Sequence, residues 1–190
     1  MTEQLPLNIS HFPVRLRVED YLMLGQSGAL DAYRKTELIE GEILYMNAQH
    51  PPHARVKSRL HVLLAQALAH VGNGLEAVVE STVAMPPIDA PEPDIVLTSE
   101  AAGEGLIPLA SVRLIVEVAD AILQHDLNRK SALYARHAVP EYWVVDVQGR
   151  TIHQMWAPAL EAYSERRQIA FGAPVHAATI DGIKVETAVL

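Results

Sequence analysis

Apolar residues recur along this chain with two periods. Over residues 53–71, Val56, Leu60, Leu63, Leu64, Ala67 and Val71 form one stripe at helical spacing, and Gly72-Asn73-Gly74 stops it. A shorter helix is expected over 18–24, ended by Gly25. A third is expected over 126–137, where Leu127, Lys130, Ser131 and Tyr134 share one face. Strand patterns lie between the helices. Residues 38–46 (LIEGEILYM) alternate, with Gly41 read as a bulge or close approach and Glu37 on the same face as Ile39, Ile43 and Tyr45. Residues 75–85 read as a strand, 86–93 as a rigid proline-bounded loop, and 95–97, 114–118 and 141–147 as short apolar strands. The tail alternates over 151–156, over 163–169 and from 183 onward. Helix, strand, helix, several strands, helix, strands: that order suits an α/β (α+β) domain with one mixed sheet flanked by helices. Residues 1–16 read as a leader and 17–190 as a single domain.

Composition narrows the classes. The chain has 190 residues, 49% hydrophobic and 20% charged, enough for a substantial core. No apolar run approaches the ~18–20 residues that span a bilayer, so no membrane partner is expected. The N-terminus shows no basic region leading into an apolar segment, and the cytoplasm is the expected compartment. The absence of cysteine excludes disulfides and thiolate metal sites. A net charge of −8 argues against sequence-independent binding of nucleic acid through Lys and Arg. It does not exclude a nuclease, because a cluster of active-site acids itself adds negative charge.

The candidate chemistry lies in carboxylates set among apolar strands. Glu117 alternates with Ile115 and Ala119, flanked by Val116 and Val118. An edge-strand Glu facing water would show the same pattern. Asp94 follows Pro93 at the head of another strand, where a turn Asp is the plain alternative. As a pair, the two acids could share a Mg²⁺ or Mn²⁺ ion, which prefers oxygen ligands. Lys130, on the inward face of its helix, needs a carboxylate or a ligand. Its alternative is a surface pair with Asp126, worth only ~0.3–0.5 kcal/mol. Glu37 is a third candidate acid. His50 and His53 lack the spacing of a helical histidine metal site, and His53 is read as a helix cap or a supporting group. Trp143 and Trp156 read as core. No G-x-S-x-G, G-x-x-x-x-G-K-[ST] or G-x-G-x-x-G motif is present.

Four segments, TELIEGEILYM, the helix with H-A-R-V, PEPDIVL and EVADAILQHDLNRKSALYARHAVPEYWVVDV, together resemble a large bacterial family of restriction-endonuclease-like proteins. That family, long known as a domain of unknown function, lies within the PD-(D/E)xK nuclease superfamily. RVEDYLML resembles the helix that opens many members, and the resemblance covers roughly residues 17–160. It implies a restriction-endonuclease-like core with Asp94 and Glu117 as metal-binding acids and Glu37 as a further acidic position. Two residues after Glu117, where the superfamily usually carries lysine, stands Ala119. Lys130 matches the place to which this family is thought to have moved it. Ala121-Ile122 departs from the small hydroxyl residues common there.

The resemblance implies Mg²⁺-dependent (or Mn²⁺-dependent) hydrolysis of DNA phosphodiester bonds by an endonuclease, with Lys130 orienting the attacking water or offsetting charge at the phosphate. Two alternatives stay open: a catalytically silent binding or regulatory module of the same fold, and a metal-dependent hydrolase of a smaller phosphorylated substrate. The apolar C-terminal strands could offer an edge to a second copy, giving a homodimer.

Overall fold

The computed structural model describes residues 13–33, 35–46, 50–100, 103, 105–120 and 123–190. The expected leader falls mostly outside them, as do Ala121 and Ile122. Six strands form the central sheet: β3 (Glu76–Val79), β5 (Ile95–Thr98), β7 (Val112–Ala119), β8 (Glu141–Asp146), β9 (Thr151–Ala159) and β10 (Ala162–Ala170). Their order is β10-β9-β8-β7-β5-β3, antiparallel except for the parallel pair β7–β8. That single parallel step needs a crossover. The crossover is helical: α3 (Leu123–His125), a π-helical turn Asp126–Lys130, and α4 (Ser131–Arg136).

Alternation along β7 sorts its side chains between two cores. Leu114, Val116 and Val118 face one layer, where Leu60, Leu64 and Leu68 of α2 (Pro51–Val71) pack beside Trp143 and Val145. Each fully buried Leu there contributes about 1.5–3 kcal/mol. Ile115 and Ala119 face the other layer, with Leu133, Tyr134, Tyr142 and Ile39. Glu117, of the same parity, therefore points into that second layer. No helix among the described residues is long and apolar enough to cross a membrane.

Several local expectations are revised. The 38–46 segment is not one bulged strand but a hairpin of β1 (Thr36–Ile39) and β2 (Glu42–Tyr45). Glu40 and Gly41 both take positive φ, 52° and 74°, the conformation of a tight two-residue turn. A Cβ on Gly41 would lie 2.7 Å from the Cβ of Arg15, so glycine is required twice over. Because the chain reverses there, Glu37 faces Leu44, and Ile43 and Tyr45 lie on the opposite face. The 75–85 segment breaks at Glu80 (φ 50°) into β3 and β4 (Val83–Ala84), the latter paired with β6 (Ile107–Pro108). The C-terminal strands β11 (Pro174–His176) and β12 (Lys184–Glu186) pair with each other, and Val175, Ile183 and Val185 are buried in this chain's own core. Trp143 is fully buried, but Trp156 is only half-buried, under the Arg167 guanidinium.

Glu141 holds the C-terminal segment to the sheet. It is fully buried at the start of β8. One oxygen accepts from Trp143 Nε1 and Gln154 Nε2, both at 2.6 Å; the other accepts from the Ala178 and Thr179 backbone N–H groups at 2.8 Å and from Thr179 Oγ1 at 2.9 Å. Removing the acceptor leaves several buried donors unsatisfied. Glu141→Ala is expected to cost about 3–5 kcal/mol, read as a lower urea midpoint with an unchanged slope.

Candidate functional site

The site forms where β5 begins and β7 ends. Ile95 pairs with Val116, and Asp94, just ahead of β5, bonds the backbone of Val118, the residue after Glu117. The two carboxylates have different company. Asp94 Oδ2 accepts from the Val118 backbone N–H at 2.8 Å and lies 3.2 Å from His53 Nε2; Oδ1 is 3.5 Å from Lys57 Nζ. His53 and Lys57 stand one turn apart at the start of α2, so one helix end presents both to Asp94. Glu117 Oε1 accepts from Lys130 Nζ and Tyr134 OH, each at 2.8 Å, while Oε2 makes no hydrogen bond to a described residue.

Lys130 Nζ is also 3.2 Å from Glu37 Oε2, so its ammonium sits between β1 and β7. Lys130, Glu37, Glu117 and Asp94 are all buried. The structure brings Glu37, Glu117 and Lys130 into direct contact, while Asp94 is tied to the backbone of Val118, next to Glu117. Lys130 is no surface partner of Asp126; both are buried, and no ion pair joins them. The π-turn carries this lysine, a distortion often found at functional sites. Its neighbour Arg129 and, further on, Arg136 face outward and pair with Glu40, clasping the hairpin tip to the helix. Ala119 is buried among apolar side chains, and the ammonium reaches Glu117 from the helix instead.

Burial and neighbours shift the acids in opposite directions. Glu117 is pushed up from its usual 4.5 to about 8, chiefly by burial and further by Asp126, Asp94 and Glu37, with Lys130 opposing. Burial likewise raises Asp126, to about 6, helped by Asp94 and Glu37. Asp94 is also penalised by burial, but the His53 hydrogen bond and charge, the Val118 N–H and Lys57 outweigh that and lower it. Burial works against the Lys130 ammonium, yet Glu117, Glu37 and Asp126 together raise it and keep it charged.

Sequence reading undervalued three residues. Lys57 continues the face of Leu60 and Leu64, and a lysine on a buried stripe was the available signal. His53 was placed correctly near the helix start, though nothing local revealed its contact with Asp94. Asp126 reads as a surface residue at i−4 from Lys130, and only its burial corrects that.

A model for the family described as “Uma2: Putative restriction endonuclease” matches residues 18–185. The chain belongs to the Uma2 family. A crystal structure of a “putative nuclease belonging to DUF820” from Anabaena variabilis superposes with a TM-score of 0.63 at 15% identity, covering 85% of this chain and 88% of that one. At that identity the likeness speaks for the fold alone, which the Uma2 chain shares. No curated protein matches it.

The donors fit a hard divalent ion in kind, since they are carboxylate oxygens with no sulfur. Among the described residues no three acidic or histidine side chains converge as a closed coordination set. Magnesium needs no such set, because it commonly takes one or two carboxylates and keeps several waters.

The raised carboxyls make stability depend on pH. A carboxyl whose pKa is higher folded than unfolded binds its proton more tightly in the native state. The stability this contributes is present below about 4.5 and is lost as pH rises toward about 8, the Glu117 value. The lowered Asp94 acts oppositely, but only in acid. In EDTA, urea midpoints should therefore fall between pH 5 and 8, and Glu117→Gln should flatten that slope.

Proposed function

We propose that this Uma2 protein is a Mg²⁺- or Mn²⁺-dependent endonuclease acting on DNA phosphodiester bonds. The observation that carries the reading is a buried Asp94 bonded to the backbone beside Glu117, with the Lys130 ammonium 2.8 Å from Glu117. Asp94 and Glu117 would hold the cation. When bound, such an ion polarises the phosphoryl group and makes the attacking water easier to deprotonate.

The chain's own residues prepare the rest. His53, Lys57 and the Val118 N–H keep Asp94 ionised, so it is ready to act as an anionic ligand at neutral pH. Tyr134 and Lys130 both bond Glu117 Oε1, which fixes the carboxylate's orientation. Lys130, held charged by Glu37 as well, supplies a preorganised positive group where negative charge grows on a phosphate in the transition state. Arg129 and Arg136 lie within one turn or two of Lys130 on the outer face of the same helical segment, where a substrate backbone could exchange for their Glu40 contacts.

A plasmid-nicking assay with Mg²⁺ or Mn²⁺ tests the reading. Lys130→Met should lower turnover by about 10²–10³-fold, as loss of a preorganised electrostatic group does. Asp94→Asn should abolish metal-dependent cleavage. Undiminished nicking by either variant would assign the activity to something else in the preparation. Metal binding without cleavage of any DNA would favour the smaller phosphorylated substrate, which the net charge of −8 would repel less than a long polyanion.

A further inference from the structure

Of the buried carboxylates, Asp126 alone has no partner among the described residues. Glu37, Asp89, Asp94, Glu117 and Glu141 each accept hydrogen bonds. Asp126 is only 3% exposed, yet its carboxylate makes neither a hydrogen bond nor an ion pair. It is absent from the buried atoms sealed off without a partner, so solvent still touches its oxygens. Its position is fixed: the Asp126 carbonyl accepts from Tyr142 OH at 3.2 Å, which holds the start of the π-turn against the sheet. Asp126 opens the π-turn that Lys130 closes, and both are buried, so the two lie on the inward side of that segment.

An ionised carboxylate this buried, with no donor from the protein and little access to water, is costly. Lys130 offsets part of that cost from a distance, but its ammonium is bonded to Glu117 and Glu37. A divalent cation beside the oxygens would remove the remainder, since a bound ion is often the largest charge in a site.

We propose that Asp126 is a further acid of the cation site, accepting hydrogen bonds from waters that the ion retains. The inference rests on the reading that Asp94 and Glu117 hold that ion. It accounts for the lack of a closed three-ligand set together with a further buried acid on the turn that carries Lys130, because magnesium keeps much of its water shell. Carboxylates that engage an ion indirectly still matter to affinity, typically by 10–100-fold.

Mn²⁺ titration by calorimetry of the whole chain, with thermal unfolding in EDTA alongside, tests this. Asp126→Asn is expected to weaken Mn²⁺ binding about 10–100-fold while its melting temperature in EDTA stays level or rises. Asp126→Glu, which keeps the charge, should recover most of the affinity. Wild-type affinity in Asp126→Asn would overturn the inference and leave the Asp94–Glu117 reading standing. A melting temperature in EDTA that falls along with affinity in both variants would overturn it too, in favour of a structural role. Unimpaired binding in Asp94→Asn would overturn the underlying reading, and no Mn²⁺ binding by the wild type would overturn both.

Discussion

A buried ammonium organises this molecule. Lys130 lies between Glu37 of the N-terminal hairpin and Glu117 of the central strand, in a layer otherwise filled by Ile115, Tyr134 and Tyr142. Taking a lysine and two carboxylates out of water is unfavourable unless each compensates the others. The hairpin, β7 and the helical crossover therefore have one mutually satisfied arrangement, and displacing any of them exposes an unpaired buried charge. Arg129 and Arg136 reinforce that arrangement from outside by gripping Glu40, three residues beyond Glu37. Their exposed pairs contribute little energy individually, but they fix the hairpin tip over the helix that aims the lysine.

Asp94, ahead of β5, and Glu117, in β7, are alike in burial and opposite in titration. Donors from α2 and the Val118 backbone keep Asp94 anionic, while Glu117 lies among carboxylates that compete for one lysine. Environments that drive neighbouring carboxyls apart are how a site assigns separate roles to the same functional group. Here one acid is permanently charged, and its neighbour acquires charge readily only when a further positive group arrives.

Much of this was legible in the sequence. The period of the α2 stripe, the apolar runs around Glu117 and Asp94, and the inward face shared by Lys130 and Tyr134 all follow from local spacing, which burial obeys closely. What escaped was set by partners distant in sequence. The Glu40-Gly41 turn looks like a bulge until the strands pair, and only then does Glu37 part company with Ile43 and Tyr45. Asp126 and Lys130 have the spacing of an ordinary exposed pair, and nothing local says that a π-turn carries both inward. His53 and Lys57 meet Asp94 across about forty residues, and Glu141 finds its backbone donors 37 and 38 residues downstream.

That last separation has a consequence for how the chain is made. The face that carries the carboxylates is complete in sequence once β10 supplies Tyr163, whereas the opposite face waits for Val175, Ile180, Ile183 and Val185. At synthesis rates of roughly 5–20 residues per second, the donors for Glu141 follow it by about 2–8 seconds. During that interval a nascent chain holds Glu141 with Oε2 unmet, beside a Trp143 that only part of its core yet covers. The carboxylate-bearing layer is thus synthesised whole while the layer under α2 still lacks its closing strands.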